Sequence, residues 1–238
     1  MTTSQPTIVL VHGAGAESAS WNGVIRILQD RGYTTTGAAN PLRSLSGDAD
    51  YVASILATIE GPIVLVGHSY GGSVISNAGR GNDAVKALVF VAAVAPEEGE
   101  SLAELASRFP GSTIGDVLHT VPLADGTTDL YIRQDKYHRH FAADVAAAQA
   151  ALDASTQRPF RDVALNEGSG PEPAWKTVPS WFVFPERDSI VPLAAHRFMA
   201  ERAQAREVIE VAQASHAVAV SRPGAVADVI LTAAKQIA

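Results

Sequence analysis

Ser69 has the most distinctive setting for chemistry in the chain. It stands in Gly67-His68-Ser69-Tyr70-Gly71, directly after the apolar run Ile63-Val64-Leu65-Val66 and before a segment of helical character. At a sharp strand-to-helix turn, Gly-x-Ser-x-Gly lifts the serine hydroxyl clear of a sheet, and the glycines remove side chains that would collide where strand and helix cross. By itself the pentapeptide is a weak pattern, and Ser69 could equally cap a helix. The strand before it and the helix after it favour a nucleophile. A serine nucleophile needs a base to take its proton and an acid to orient the base.

His216 is the expected base. It follows the last apolar run, over 207–211, and so falls at the carboxyl edge of a parallel sheet, where open α/β folds bind ligands. The other histidines are less well placed: His68 sits inside the turn, His12 in the first loop, His119, His138 and His140 in the middle of the chain, and His196 in a helix. Asp188 is the expected acid, on the loop Phe184-Pro185-Glu186-Arg187-Asp188 that leaves a strand over 180–184 at the same edge. Glu186 is a near competitor, and Glu97 and Glu98 follow an earlier strand. Two backbone amides are expected to hold an oxyanion, that of Tyr70 and that of Ala14 in the glycine-rich His12-Gly13-Ala14-Gly15.

These residues need a scaffold, and the hydrophobic pattern supplies one. Continuous apolar runs rich in β-branched residues predict buried parallel strands over 7–11, 33–38, 63–66 and 86–94, separated by helices over 21–31, 48–60 and 73–79. The alternation predicts an α/β fold with a mostly parallel sheet covered on both faces. It breaks at Pro96. From there to Val178 no convincing apolar strand is found, only helical patches over 102–109 and 141–154, so residues 96–178 are read as a helical insertion. The pattern then resumes with a strand over 180–184, a helix over 193–203, a strand over 207–211 and a closing helix over 223–237. Residues 1–95 and 179–238 therefore form the expected core.

Composition narrows the function classes. The net charge of −7 and the lack of a basic run argue against nucleic-acid binding. No apolar stretch is long enough to span a membrane, and the polar N-terminus does not read as a signal peptide. The absence of cysteine excludes disulfides, a thiolate nucleophile and cysteine-ligated metals, and it fits a cytoplasmic protein. Nothing in the sequence speaks to oligomeric state.

Val11-His12-Gly13-Ala14-Gly15 with Trp21, Gly67 to Gly72, Asp188 and Ser215-His216 together resemble the α/β-hydrolase superfamily, and more narrowly the compact bacterial esterases related to plant methyl-ester esterases and hydroxynitrile lyases. The resemblance implies a sheet of about six strands with a helical cap over the site, the place where residues 96–178 fall. It also implies a serine esterase acting on a small or medium ester or lactone, with no metal or cofactor. An amide or other acyl hydrolase with the same triad, or a receptor-like protein with slow turnover, are the alternatives. Hydroxynitrile lyases of this type carry a threonine where this chain has Gly13 and a lysine where it has Ala217, so lyase chemistry is not expected. Ser69 argues against the dehalogenases, which use an aspartate. Tyr137, His138, Phe141 and Trp175 are candidates to line the acyl and alcohol pockets, or else to pack the insertion onto the core, and Trp21 is a candidate to line the site near Ala14, or else to anchor the first helix.

Overall fold

The computed structural model describes residues 5–237. The first half alternates as expected: β1 (Thr7–Val11), a short 3-10 turn at Ser18–Trp21, α1 (Asn22–Asp30), β2 (Thr35–Ala38), α2 (Leu45–Leu56), β3 (Ile63–His68), α3 (Gly71–Ala78) and β4 (Val85–Val91). Between β4 and the next core strand come α4 (Leu102–Ser107), α5 (Ile114–Val117), β5 (Leu118–Pro122), β6 (Thr128–Ile132), α6 (Gln134–His140), α7 (Ala147–Thr156), β7 (Phe160–Arg161) and α8 (Asp162–Asn166). The core resumes with β8 (Ser180–Pro185), α9 (Leu193–Arg202), β9 (Glu207–Val211), α10 (Val218–Ser221) and α11 (Pro223–Gln236).

The core sheet is six-stranded in the order β2-β1-β3-β4-β8-β9, and every neighbouring pair runs parallel. β3 and β8 are buried at every residue, which explains their unbroken apolar sequence: both of their faces are covered. One face packs with Trp21, Val24, Val226 and Ile230 beneath it, on α1 and α11 and the turn before α1. The other carries α2, α3, α9 and the whole inserted segment.

The inserted segment is not purely helical. β5, β6 and β7 form an antiparallel three-stranded sheet. These strands escape an apolar-run reading because β5 is largely solvated and β7 has only two residues. The hairpin between β5 and β6 turns at Asp125-Gly126, where Gly126 has φ 82°, and Thr127 closes the turn on the Asp125 carboxylate. The alanine-rich helix expected over 141–154 also differs, since residues 141–146 are not helical and α7 starts at Ala147. Tertiary contacts override the alanine propensity there. The Phe141 carbonyl accepts from Ala217 N–H, and Asp144 accepts from both the backbone and the hydroxyl of Ser215.

Glu100 joins the insertion to the core. Burial alone would raise its carboxyl, but Arg202 of α9 and Arg108 at the end of α4 hold it down to about 2. Among the described residues no helix is long and apolar enough to cross a membrane.

Candidate active site

β3 ends at His68, and Ser69 turns the chain into α3 with φ 53°, a left-handed conformation that is costly for any residue with a side chain. The surrounding glycines make this turn possible. A Cβ on Gly67 would lie 2.5 Å from the Gly71 carbonyl, and one on Gly71 would run into the Val11 carbonyl of β1. Tyr70 points its side chain away, into the core, where its hydroxyl donates to Asp48 Oδ2 at 2.9 Å. Asp48 is buried at the start of α2, which pushes its carboxyl up, and it also accepts from Arg43 N–H at 3.0 Å. Only the Tyr70 backbone is therefore left at the elbow.

Asp188 and His216 arrive from the loops after β8 and β9, at the same sheet edge as Ser69. The Ser69 hydroxyl donates to His216 Nε2 at 2.9 Å, and His216 Nδ1 donates to Asp188 Oδ2 at 2.8 Å. A carboxylate can only accept, so Nδ1 carries the proton and Nε2 is left bare to receive one. All three residues are buried. Burial alone would raise the Asp188 carboxyl, but the adjacent His216, with hydrogen bonds from His196 and His216, holds it well below the usual carboxylate range. Asp188 Oδ1 accepts the amides of Ile190 and Val191 at 2.8 and 2.9 Å, which fixes the plane of the carboxylate. Glu186, the competing acid, instead accepts from Gln213 N–H.

The loop after β1 lies against the elbow. His12, buried, donates from Nδ1 to the Gly13 carbonyl, and Asn40 donates to the His12 carbonyl. Among the described residues neither Ala14 N–H nor Tyr70 N–H donates to a protein group. These are the two amides expected for an oxyanion.

His68, inside the pentapeptide, donates from Nε2 to the His216 carbonyl at 3.1 Å. Burial, reinforced by His216, pushes its imidazole down to about 3, so it stays neutral and serves as a strut. A cavity of ≈ 20 Å³ reaches Ser69, with Ala14, Leu102, Ile132, Phe141, Phe160 and Leu165 among its walls. A second small cavity, ≈ 30 Å³, is lined by Glu17, Ser20, His68 and Asp153, and Phe141 lines both.

The aromatic candidates divide. Phe141 packs edge-on against His216 with ring centroids 4.8 Å apart and walls the Ser69 cavity. Tyr137 lies tilted beside Phe141, with ring planes 35° apart, and donates to the Gly15 carbonyl at 3.1 Å, so it pins the loop that carries Ala14, and it lines the second cavity. His138 turns away and bonds the Val145 carbonyl. Trp21 sits on the opposite face of the sheet, edge-on to His68 at 6.2 Å, and lines neither cavity. Trp175 donates to the Pro96 carbonyl at 2.8 Å, at the root of the insertion, and also lines neither. Both tryptophans are packing residues: each is a large buried ring, and side-chain type alone does not say which face it covers. Sequence reasoning missed His196 and Asp144. The only available signal for His196 was its spacing from Asp188, with Pro192 starting a helix between them.

The chain is 26% identical to the rice (Oryza sativa subsp. japonica) Esterase PIR7B, over 98% of this chain and 97% of that protein. It is 26% identical to a Pyrethroid hydrolase of Sphingobium wenxiniae, over 94% of this chain and 85% of the relative. Its fold superposes on the crystal structure of polyneuridine aldehyde esterase with a TM-score of 0.81, at 19% identity, over 96% of this chain and 99% of the other. Residues 8–229 match the family model described as Alpha/beta hydrolase family. With the parallel sheet and the serine elbow already in view, that match over nearly the whole length places this chain in the alpha/beta hydrolase family.

Proposed function

We propose that the protein is a serine carboxylic-ester hydrolase that works through an acyl-enzyme on a small or medium ester or lactone, with residues 96–178 as the cap over its site. The observation that carries this reading is the unbroken chain from Ser69 Oγ through His216 to Asp188. Ser69 Oγ attacks the ester carbonyl carbon as His216 Nε2 takes its proton. The carbonyl oxygen, now an anion, is held by the amides of Ala14 and Tyr70, and Asp188 stabilises the imidazolium. Collapse breaks the bond to the alcohol, which leaves with the proton from His216. Water attacks the acyl carbon while His216 takes its proton. The second collapse releases the carboxylic acid and returns the proton to Ser69. Relatives named as an esterase and a pyrethroid hydrolase support an ester as substrate.

The test is covalent. A fluorophosphonate probe should label one site, on the peptide containing Ser69, and Ser69→Ala should abolish both labelling and turnover of short p-nitrophenyl esters. Labelling that survives the substitution would overturn the assignment. Linear multiple turnover supports the esterase. A stoichiometric burst with no further turnover marks a receptor-like protein, and faster cleavage of p-nitroanilides than of esters marks an amidase.

The cavity at Ser69 holds little more than one water molecule's worth of free space, and its walls are apolar. Short acyl groups should therefore be preferred. Phe141→Ala should raise the kcat/KM ratio of p-nitrophenyl butyrate to acetate by about thirtyfold, since butyrate carries two more methylenes and each one accommodated in an apolar pocket is worth at least ~1 kcal/mol. An unchanged ratio would remove Phe141 from the wall of the substrate site.

A further inference from the structure

His196 has no part in the scheme above, yet it is fully buried on α9 and its Nε2 lies 3.0 Å from Asp188 Oδ2. His216 Nδ1 reaches the same oxygen at 2.8 Å. Because the carboxylate only accepts, His196 must hold its proton on Nε2. With the amides of Ile190 and Val191 on Oδ1, Asp188 receives four donors, two on each oxygen. The other ring nitrogen of His196, Nδ1, is buried without a partner among the described residues. The ring lies flat on Phe184 of β8, with centroids 5.0 Å apart and planes 7° apart. An apolar ring would fill that slot without leaving a bare nitrogen in the core, so packing alone does not account for a histidine.

We propose that His196 is a positioning residue, which acts through Asp188 to set the strength of His216 as a base. By occupying part of Oδ2 it fixes the carboxylate and withdraws negative charge that would otherwise face the His216 ring. The proposal rests on the serine-hydrolase reading. The titratable groups around the pair come from four elements. Asp188 is on the β8–α9 loop, His216 follows β9, and neutral His68 ends β3 at 4.9 Å from His216. Arg197, next to His196 on α9, is turned outward and paired with Glu210 of β9. Without the His196 proton, Oδ2 carries more charge toward His216 and favours its protonated form. The acid limb of kcat/KM then moves to higher pH, because the base must be unprotonated to act.

The experiment compares pH profiles of kcat/KM for the wild-type protein, His196→Phe and His196→Gln. Phenylalanine keeps a flat ring against Phe184 and removes the donor, whereas glutamine restores an N–H donor. The acid limb of His196→Phe should move up by about half to one pH unit, with kcat reduced roughly threefold to tenfold, and His196→Gln should return the limb most of the way. In the wild-type protein, nitrogen-15 histidine spectra should show His196 protonated on Nε2 and bare on Nδ1. That measurement decides the matter if the phenylalanine variant does not fold. Superimposed wild-type and His196→Phe profiles, or a proton on His196 Nδ1, would overturn the proposal. Failure of Ser69 labelling would instead overturn the hydrolase reading beneath it, so the two failures are distinguishable.

Discussion

His216→Ala should lower kcat for a short p-nitrophenyl ester by about 10⁶-fold, and Asp188→Asn by about 10⁴-fold, with both proteins still folded at 25 °C. Alanine leaves the Ser69 hydroxyl with no acceptor, because His216 Nε2 is its one side-chain partner among the described residues. The aspartate result follows from the number of donors. Four N–H groups converge on the carboxylate, two per oxygen. An asparagine in that place must aim its own NH₂ at two of them, whichever way it flips. If it faces His216, the ring is driven to the tautomer with its proton on Nε2, which cannot accept from Ser69. If it faces Ile190 and Val191, two backbone amides lose their acceptor and the loop must shift. Both routes also destabilise the protein by about 2–3 kcal/mol. Steady-state rates and urea unfolding on the same preparations check both halves. A variant at either position within tenfold of wild-type activity would remove that residue from the mechanism.

The second large effect is expected at a residue with no side chain. In Gly13→Ala the new Cβ would lie 2.6 Å from Ser69 Cβ and 2.8 Å from the His68 carbonyl. Neither neighbour can yield cheaply. Both belong to the elbow, whose φ of 53° at Ser69 is already strained, and His68 is bonded onward to the His216 carbonyl. The loop from His12 to Gly15 must therefore move, taking the Ala14 amide away from the oxyanion position. Loss of one such donor costs about 10²–10³ in kcat, and that is the expected fall. Gly115→Ala, in a helix with open space at the added carbon, is the control and should leave the rate unchanged. If Gly13→Ala keeps more than a third of wild-type kcat, the loop after β1 does not supply the second donor.

The core was legible in the sequence where burial is two-sided. β1, β3 and β8 are continuous apolar runs because helices cover both faces, and the serine, acid and histidine are found at strand ends because loops begin there. The inserted segment was legible as an interruption but not as a structure. Its strands are short and half-solvated, and its central alanine-rich stretch obeys contacts with the His216 loop that no local pattern encodes. The tryptophans illustrate the same limit. Trp21 and Trp175 have the size of pocket residues, but which layer of a three-layer fold receives them is decided by packing across the chain. His196 was assigned correctly to a helix. What its sequence position concealed is that Pro192 starts that helix soon enough to swing its first turn back onto Asp188.

The break in helix between α6 and α7 has an evolutionary consequence. Phe141 walls the Ser69 cavity, while its carbonyl and the Asp144 carboxylate grip the residues on either side of His216. On the proposed esterase reading, the Phe141 ring is both a wall of the substrate pocket and a neighbour of His216, with ring centroids 4.8 Å apart, so substrate range and reaction rate are coupled at that one side chain. A lineage that widens the site through this wall pays in turnover at once. Leu102 and Ala106 of α4, Ile114 of α5 and Leu165 of α8 line the cavity from elements that make no hydrogen bond to the His216 loop among the described residues. Selection for new substrates should accumulate changes at those four positions first and leave residues 141–144 to drift least.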